Sequence, residues 1–333
     1  MAGGPTVPAL VIAAAEAGAL AFLAGGYKSP AKMRSEMAAV RAGTDAPFGV
    51  NVFVPGQPTR EPEALADYLE EIEEAAAAFG VKVGPADWDD DAFDDKVEVL
   101  LADPPAVVSF TFGCPPPDVL GALKERSAMV AVTVTTTEEA DLAVAAGSDL
   151  LCLQGSEAGG HRGTFVIDDR PGQDVELLEL LTQIRRRCEL PLIAAGGIAG
   201  PADVAAAISA GADLCQAGTA FLRCAESGAS PTYQRALAER AAHGTAITRA
   251  FSGRRARGVG NRFMREHPGA PRAYPEINNA TRPIRAAAAA VDDAEHVSLF
   301  AGVHFAQARP VPAGEIIEFL VSGLSPNLRG GLR

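Results

Sequence analysis

Cysteine is scarce in this sequence, and the few cysteines form no recognisable framework. The chain has five cysteines in 333 residues, with no C-x-x-C pair and no zinc-like spacing to its five histidines. Neither a disulfide scaffold nor a metal site is therefore expected. Because most of these cysteines fall in apolar, strand-like runs, we interpret them as buried, reduced thiols, which favours a cytoplasmic location.

Long hydrophobic runs and an excess of positive charge are also absent. The apolar start, MAGGPTVPALVIAAAEAGALAFLAGG, is interrupted by Pro and Gly, so it lacks the roughly 20 apolar residues of a membrane anchor. The 42 acidic and 29 basic residues give a net charge of -13, which argues against nucleic acid or an anionic membrane as the main partner. An anionic ligand must therefore find a locally positive pocket.

Several common catalytic motifs are missing. The sequence has no G-x-S-x-G elbow, no H-E-x-x-H helix and no Walker loop, which excludes the commonest hydrolase and nucleotide-hydrolysing interpretations. Its glycine patterns do not fit G-x-G-x-x-G with an acidic residue about 20 positions later, so a Rossmann nicotinamide site is not supported.

What the sequence does contain is a regular alternation of apolar runs and amphipathic helical stretches. The runs are ALAFLAGG, FGVNVFV, AVVSFTFG, MVAVTVT, DLLCLQG, PLIAAGG and DLCQAGT. They are continuously apolar, as strands of a parallel sheet covered on both faces should be. Seven such units suit a TIM barrel, which needs eight strands, or a doubly wound open sheet; we favour the barrel.

The barrel pattern covers residues 1–244. Residues 245–333 are richer in Arg, Gly and Pro and contain two further helical stretches. We interpret this part as contributing a cap over the barrel mouth, with the last helix packing back on the barrel.

Glycine-rich turns follow the last two barrel strands, in IAAGG and CQAGT. In TIM barrels these loops commonly bind phosphate through backbone N–H groups. Gly197, Gly218 and Thr219 are therefore candidate phosphate ligands, and a phosphorylated sugar, a nucleotide and flavin mononucleotide (FMN) all remain open at this point.

His161 lies in LQGSEAGGHRGTF, directly after an apolar run. Its place on the catalytic side of a barrel strand makes it a candidate acid or base, against the alternative of a solvated loop histidine. The other four histidines lack companion carboxylates at ligand spacing, so we interpret His243, His267, His296 and His304 as structural or solvated.

Five motifs, in order and over nearly the whole chain, resemble the nitronate monooxygenase family, formerly called 2-nitropropane dioxygenases. They are MAGGPTVPAL, FGVNVFVP, LQGSEAGGHRG, PLIAAGGIAGPADVAAAISAGADLCQAGTAFL and TRAFSGRRARGVGNRF. The resemblance implies an FMN-dependent TIM barrel with His161 as the active-site base. It assigns FMN contacts to Asn51, Gln154, Gly159, Gly197, Gln216, Ala217, Gly218 and Thr219.

The implied activity is oxidation of alkyl nitronates, such as propionate 3-nitronate, by molecular oxygen to a carbonyl compound plus nitrite or nitrate. The implied route passes through a flavin semiquinone. The alternatives are an NAD(P)H-using FMN reductase of the enoyl-ACP or quinone reductase type, and a degenerate flavin-binding barrel without activity. The oligomeric state, the physiological nitronate and the use of NAD(P)H stay open.

Two further expectations follow. The arginine-rich stretch Arg249–Arg265 should lie near the barrel mouth and bias it positively. The family carries an apolar run ahead of AGG, but here Met1 takes its last position, so we expect most of the first barrel strand to be missing, with free sheet edges at residues 19–25 and 214–218. A start assigned too far downstream would explain this.

Overall fold

The computed structural model describes residues 1–168 and 174–324; the last nine residues of the predicted C-terminal segment lie outside this range. Seven of its strands form one parallel sheet, in the order β1-β2-β3-β4-β5-β7-β8. The ten strands are β1 (Ala21–Ala24), β2 (Phe48–Phe53), β3 (Val107–Thr111), β4 (Met129–Val134), β5 (Leu150–Gln154), β6 (Gly160–His161), β7 (Leu192–Ala195), β8 (Leu214–Gln216), β9 (Thr245–Thr248) and β10 (Ala256–Val259).

Helices connect the parallel strands, as the alternating pattern predicts, and further helices precede β1 and follow β8. They are α1 (Pro8–Glu16), α2 (Pro30–Gly43), α3 (Pro62–Glu71), α4 (Glu73–Ala78), α5 (Phe93–Ala102), α6 (Pro117–Glu125), α7 (Thr137–Ala146), α8 (Leu177–Arg185), α9 (Pro201–Ser209), α10 (Pro231–Glu239), α11 (Arg262–Glu266), α12 (Glu276–Ala290) and α13 (Ala313–Val321). Local capping sets several bounds: the Thr136 hydroxyl accepts from the backbone of Glu139, and α7 ends at Gly147 with φ of 94°, a conformation that favours glycine.

The parallel sheet is curled like a TIM barrel but does not close within the described residues. All seven predicted strands form. The apolar runs of β2, β3, β4, β5 and β7 are largely buried, as strands covered on both faces should be, whereas β8 is partly exposed. β1 pairs only with β2 and β8 only with β7. The prediction of seven strands with edges at residues 19–25 and 214–218 is confirmed, and no described strand fills the gap between β1 and β8.

Two large apolar clusters join the sheet to its outer helices, and a third cluster lies apart from them. The third, which we call the cap cluster, combines α3 and α4 with residues 250–284, and includes Tyr68, Phe251 and Ile277. Helices from the first third of the chain therefore pack against part of the C-terminal segment. The last helix, α13, packs against α1 and α9.

Within the described residues, no helix is both long enough and apolar enough to cross a membrane.

Candidate active site

A cavity of about 600 Å³ opens at the carboxyl ends of the parallel strands. Such ends meet at one edge of a parallel sheet, which is where TIM-like enzymes place their active sites. The cavity is lined by every predicted site residue except Ala217: Asn51, Gln154, Gly159, His161, Gly197, Gln216, Gly218 and Thr219. Ala217 packs instead against the apolar cluster outside the sheet.

His161 is held in the cavity wall by a small second sheet. It lies on β6, which pairs antiparallel with β10, and β10 in turn pairs with β9. The Nε2 atom of His161 lies 2.8 Å from the Ser252 hydroxyl. The ring also contacts Phe300 and Tyr274, with centroids 5.1 and 5.5 Å away, so its orientation is fixed from several sides.

The surroundings of His161 keep its imidazole neutral. Burial of the ring, followed by the positive charges of Arg254 and Arg285, lowers the pKa of His161 to about 3. Both effects disfavour the imidazolium form. A neutral imidazole in a cavity wall presents a nitrogen lone pair that can accept a hydrogen bond from a bound molecule.

Gln154 and Asn51 hold fixed positions at the ends of their strands. The Gln154 amide donates to the His161 carbonyl over 3.0 Å and accepts from the Gly163 backbone over 2.8 Å. The Asn51 amide donates to the hydroxyls of Ser109 and Thr111 over 2.9 and 3.0 Å. These donations leave the Asn51 amide oxygen available as an acceptor for a bound molecule.

The glycine turns after β7 and β8 present bare backbone to the cavity. Gly196 and Gly197 have φ of 116° and 69°, a region that L-residues other than glycine rarely adopt. In the described part of the chain, the backbone N–H groups of Gly197, Gly218 and Thr219 donate to no protein acceptor. A cluster of free N–H groups beside a short helical turn, here Thr219–Phe221, suits a phosphate.

Two cavity-lining arginines, Arg282 and Arg285 on α12, were not predicted. Arg285 donates to the carbonyl and side chain of Asn278, and its Nε has no partner among the described residues. Neither arginine lies within 4.0 Å of a described carboxylate. Their spacing of three residues in TRPIR places them on one face of a helix, a signal that the sequence did contain.

The predicted arginine-rich stretch lies beside His161 but does not line the cavity. Arg254 stacks over the Phe112 ring at 3.9 Å and donates to the Arg162 carbonyl over 3.0 Å. Arg255 pairs with Asp174 at the surface. The positive charge inside the cavity therefore comes from α12, whereas Arg254 acts on His161 from behind an aromatic ring.

A family model described as nitronate monooxygenase matches residues 1–323. The chain belongs to the nitronate monooxygenase family. Members of this family are flavin-dependent oxidoreductases, so the predicted family and enzyme class are confirmed.

Individual relatives agree with this membership. Nitronate monooxygenase of Pseudomonas aeruginosa is 39% identical over 336 residues, covering 96% of this chain and 93% of that protein. The solved structure of nitroalkane oxidase from Streptomyces ansochromogenes is 44% identical with a TM-score of 0.94, covering 100% of this chain and 96% of that one. FabK from Thermotoga maritima is more distant, at 26% identity and a TM-score of 0.74, covering 99% and 92% of the two chains.

The cavity of this nitronate monooxygenase family member fits a flavin carrying a phosphate. Backbone N–H groups without an acceptor among the described residues lie at Gly197, Gly218 and Thr219, and the amide groups of Asn51 and Gln154 line the same cavity. Gly159 has no room for a side chain, because an added Cβ would lie 2.3 Å from the Gly302 nitrogen. The donor set therefore combines a phosphate cradle with polar groups suited to a ring system.

Proposed function

We propose that this protein binds FMN and oxidises alkyl nitronates with molecular oxygen to a carbonyl compound plus nitrite or nitrate. The observation that carries the proposal is the combination of a neutral His161 with two uncompensated arginines in one cavity. In a protein of net charge -13, such a pocket attracts an anion, and a nitronate is an anion.

The flavin, when bound, would supply the electron chemistry, taking electrons from the nitronate and passing them to oxygen. The chain's own groups bind and orient. The backbone at Gly197, Gly218 and Thr219 would hold the phosphate, and Asn51 and Gln154 would contact the ring. The expected single-electron route stays a prediction.

His161 would face the substrate. As a neutral imidazole it can take the proton from the α-carbon of a nitroalkane, and it can hydrogen-bond the anion that results. The Ser252 hydroxyl, 2.8 Å from Nε2, fixes the ring during this transfer.

Arg285 supports a nitronate that carries a second anionic group. Its Nε is buried and has no partner in the part of the chain that the structure describes, and a buried guanidinium donor left unpaired costs free energy. A substrate carboxylate would satisfy it with the paired geometry that guanidinium groups favour. Propionate 3-nitronate is such a substrate.

The activity is tested by anaerobic spectroscopy of the purified holoprotein. Propionate 3-nitronate should reduce the bound flavin, and oxygen should restore its spectrum with release of nitrite or nitrate. NADH should leave the spectrum unchanged. Rapid reduction by NADH and none by the nitronate would favour the reductase alternative instead, and a protein that takes up no flavin would favour the degenerate barrel.

The cofactor is tested separately by denaturing the holoprotein and identifying the released flavin by chromatography. We expect FMN at one molecule per chain. Release of FAD, or failure to reconstitute with FMN, would contradict the proposed phosphate site.

A cytoplasmic location also stays a prediction.

A further inference from the structure

We propose that His304 is a direct ligand of the FMN phosphate, supplying positive charge to a cradle otherwise made of backbone. The proposal rests on the FMN cofactor proposed above, but not on nitronate oxidation. The sequence pattern predicts only a structural or solvated role for this histidine, which lies more than 80 residues after the last glycine turn. The structure places it in the wall of the main cavity.

The segment that carries His304 is tightly fixed against the glycine turns. The Gly302 backbone donates to the Thr219 hydroxyl over 2.9 Å, and the Val303 backbone donates to the Glu157 carbonyl over 3.1 Å. A side chain at Gly159 would collide with Ala301 and Gly302. Residues 301–304 therefore form a third wall beside the turns after β7 and β8.

The imidazole of His304 is aimed by a hydrogen bond to one of those turns. Its Nδ1 lies 2.8 Å from the Gly197 carbonyl. Because a carbonyl only accepts, Nδ1 must carry a proton, and Nε2 is the nitrogen left for a ligand. A protonated His304 would donate to Gly197 through Nδ1 and to a phosphate oxygen through Nε2.

A cation at this end of the cavity would balance the negative charge of the phosphate. The FMN phosphate carries a charge of about -1.5 to -2 at neutral pH, and the chain itself carries -13. The lining arginines, Arg282 and Arg285, lie on α12. The positive charge of Arg285 interacts electrostatically with Tyr27 and His161. Among the described lining residues, His304 is a cationic candidate whose side chain hydrogen-bonds a glycine turn of the phosphate cradle.

The test measures the affinity of the apoprotein for FMN and for riboflavin, which lacks the phosphate, by flavin fluorescence quenching. His304→Asn should weaken FMN binding by about 10- to 100-fold, the loss typical of a hydrogen bond to a charged group. Riboflavin binding should change by less than about twofold, since the ring contacts are untouched. His243→Asn, at an exposed histidine of the turn Ala241–His243, is the matched control and should change neither affinity.

Equal loss of FMN and riboflavin affinity in His304→Asn, or loss of neither, overturns the proposal. If His304→Asn does not fold, His304→Gln takes its place with the same expectations. If neither folds, wild-type apoprotein labelled with ¹⁵N-histidine decides: FMN must shift the His304 ring signals and riboflavin must not. A protein that prefers FMN through His304 but does not oxidise nitronates would retain this inference while refuting the proposed activity.

Discussion

At the scale of single residues, His161 brings together three separate influences. Ser252 orients it, aromatic rings enclose it, and burial, followed by the charges of two arginines, keeps it neutral. The partners Ser252, Phe300, Arg254 and Arg285 all lie far from His161 in sequence. The imidazole therefore depends on the cap for its chemistry, although it sits on a barrel loop.

Replacing His161 should separate binding from turnover. We expect His161→Asn to retain FMN but to lose about 10²- to 10⁴-fold in kcat/KM with nitroalkanes, because asparagine can hydrogen-bond but cannot titrate. Steady-state kinetics and flavin content measure the two effects. Ser252→Ala, which removes only the orienting hydroxyl, should lose less. A change below about threefold in His161→Asn would show that His161 is not catalytic.

His161 should also contribute to the pH dependence of the free energy of unfolding. Its pKa is about 3 when folded and 6.5 ordinarily, so between these values the unfolded chain binds a proton that the folded chain does not. The contribution of His161 to the free energy of unfolding is therefore fully present above about pH 6.5. It decreases as the pH falls, by up to about 2 kcal/mol at pH 5.

Urea unfolding of the apoprotein at pH 7.5, 6 and 5 measures this effect. The wild type should lose more unfolding free energy over this range than His161→Asn, in which the proton site is absent. Equal losses in the two proteins would mean that the ring is not held neutral by the fold.

Arg285 should make the enzyme selective for a nitronate that also carries a carboxylate. We expect Arg285→Gln to lower kcat/KM for propionate 3-nitronate by about 10- to 100-fold, as for loss of a charged hydrogen bond. Propyl-1-nitronate, which has no carboxylate, should be affected much less. Arg262→Gln, at an exposed arginine paired with Glu266, is the control. An equal loss for both nitronates would show that Arg285 does not recognise the carboxylate.

At the scale of elements, the site is assembled where loops from distant parts of the chain touch. The strand-to-helix turns behave as local units, with glycines that allow their backbone conformation. The loop that carries Gly159 is different, because it packs directly on residues 301 and 302. This contact joins the C-terminal segment to the catalytic loop.

A side chain at Gly159 should destabilise the contact with residues 301 and 302 and weaken FMN binding. An added Cβ at Gly159 would lie 2.3 Å from the Gly302 nitrogen and 2.4 Å from the Ala301 carbonyl carbon. Overpacking of this kind costs about 1–3 kcal/mol, so Gly159→Ala should lower the melting temperature of the apoprotein and weaken FMN binding.

Gly121→Ala is the matched control for that experiment. Gly121 lies within α6 with nothing within 4 Å of an added Cβ, and alanine in a helix interior is favoured by roughly 0.5–1 kcal/mol. It should therefore raise the melting temperature slightly and leave FMN binding unchanged. Similar behaviour of the two variants would mean that the contact at Gly159 is not tight.

At the scale of the whole molecule, the open sheet is the unusual feature. A closed barrel has no free edge, whereas β1 and β8 each leave one edge unpaired within the described residues. Unpaired edges invite association with other chains. Leu214, at the start of β8, is 37% exposed, so this edge also offers apolar surface.

Charging that edge should reduce self-association. We expect Leu214→Lys to lower concentration-dependent aggregation, measured by light scattering during storage of the apoprotein, because a lysine on an edge strand disfavours pairing with a second chain. Leu142→Lys, at a more exposed leucine of α7 (59%), is the control for removing apolar surface alone. An equal improvement from both changes would argue against edge pairing.

The sequence by itself determined the seven strands of the parallel sheet and the loops that carry the site, but not the small sheet of β6, β9 and β10. Continuous apolar runs, helix caps and terminal glycines are local signals, so each βα unit could be predicted from its own residues. Parallel strand ends meet at one edge of the sheet, which is why Asn51, Gln154, His161 and Gly197 could be expected together. Ala217 shows the limit of this reasoning, because it shares the turn but packs outward.

Only the tertiary structure decided which distant side chains complete the cavity. Arg282, Arg285 and His304 reach it because the C-terminal segment packs against the strand ends and is held there by contacts such as Gly302 to Thr219. Arg254 is instead turned behind the Phe112 ring. These placements result from packing between residues far apart in the chain, and local sequence patterns carry no record of such contacts.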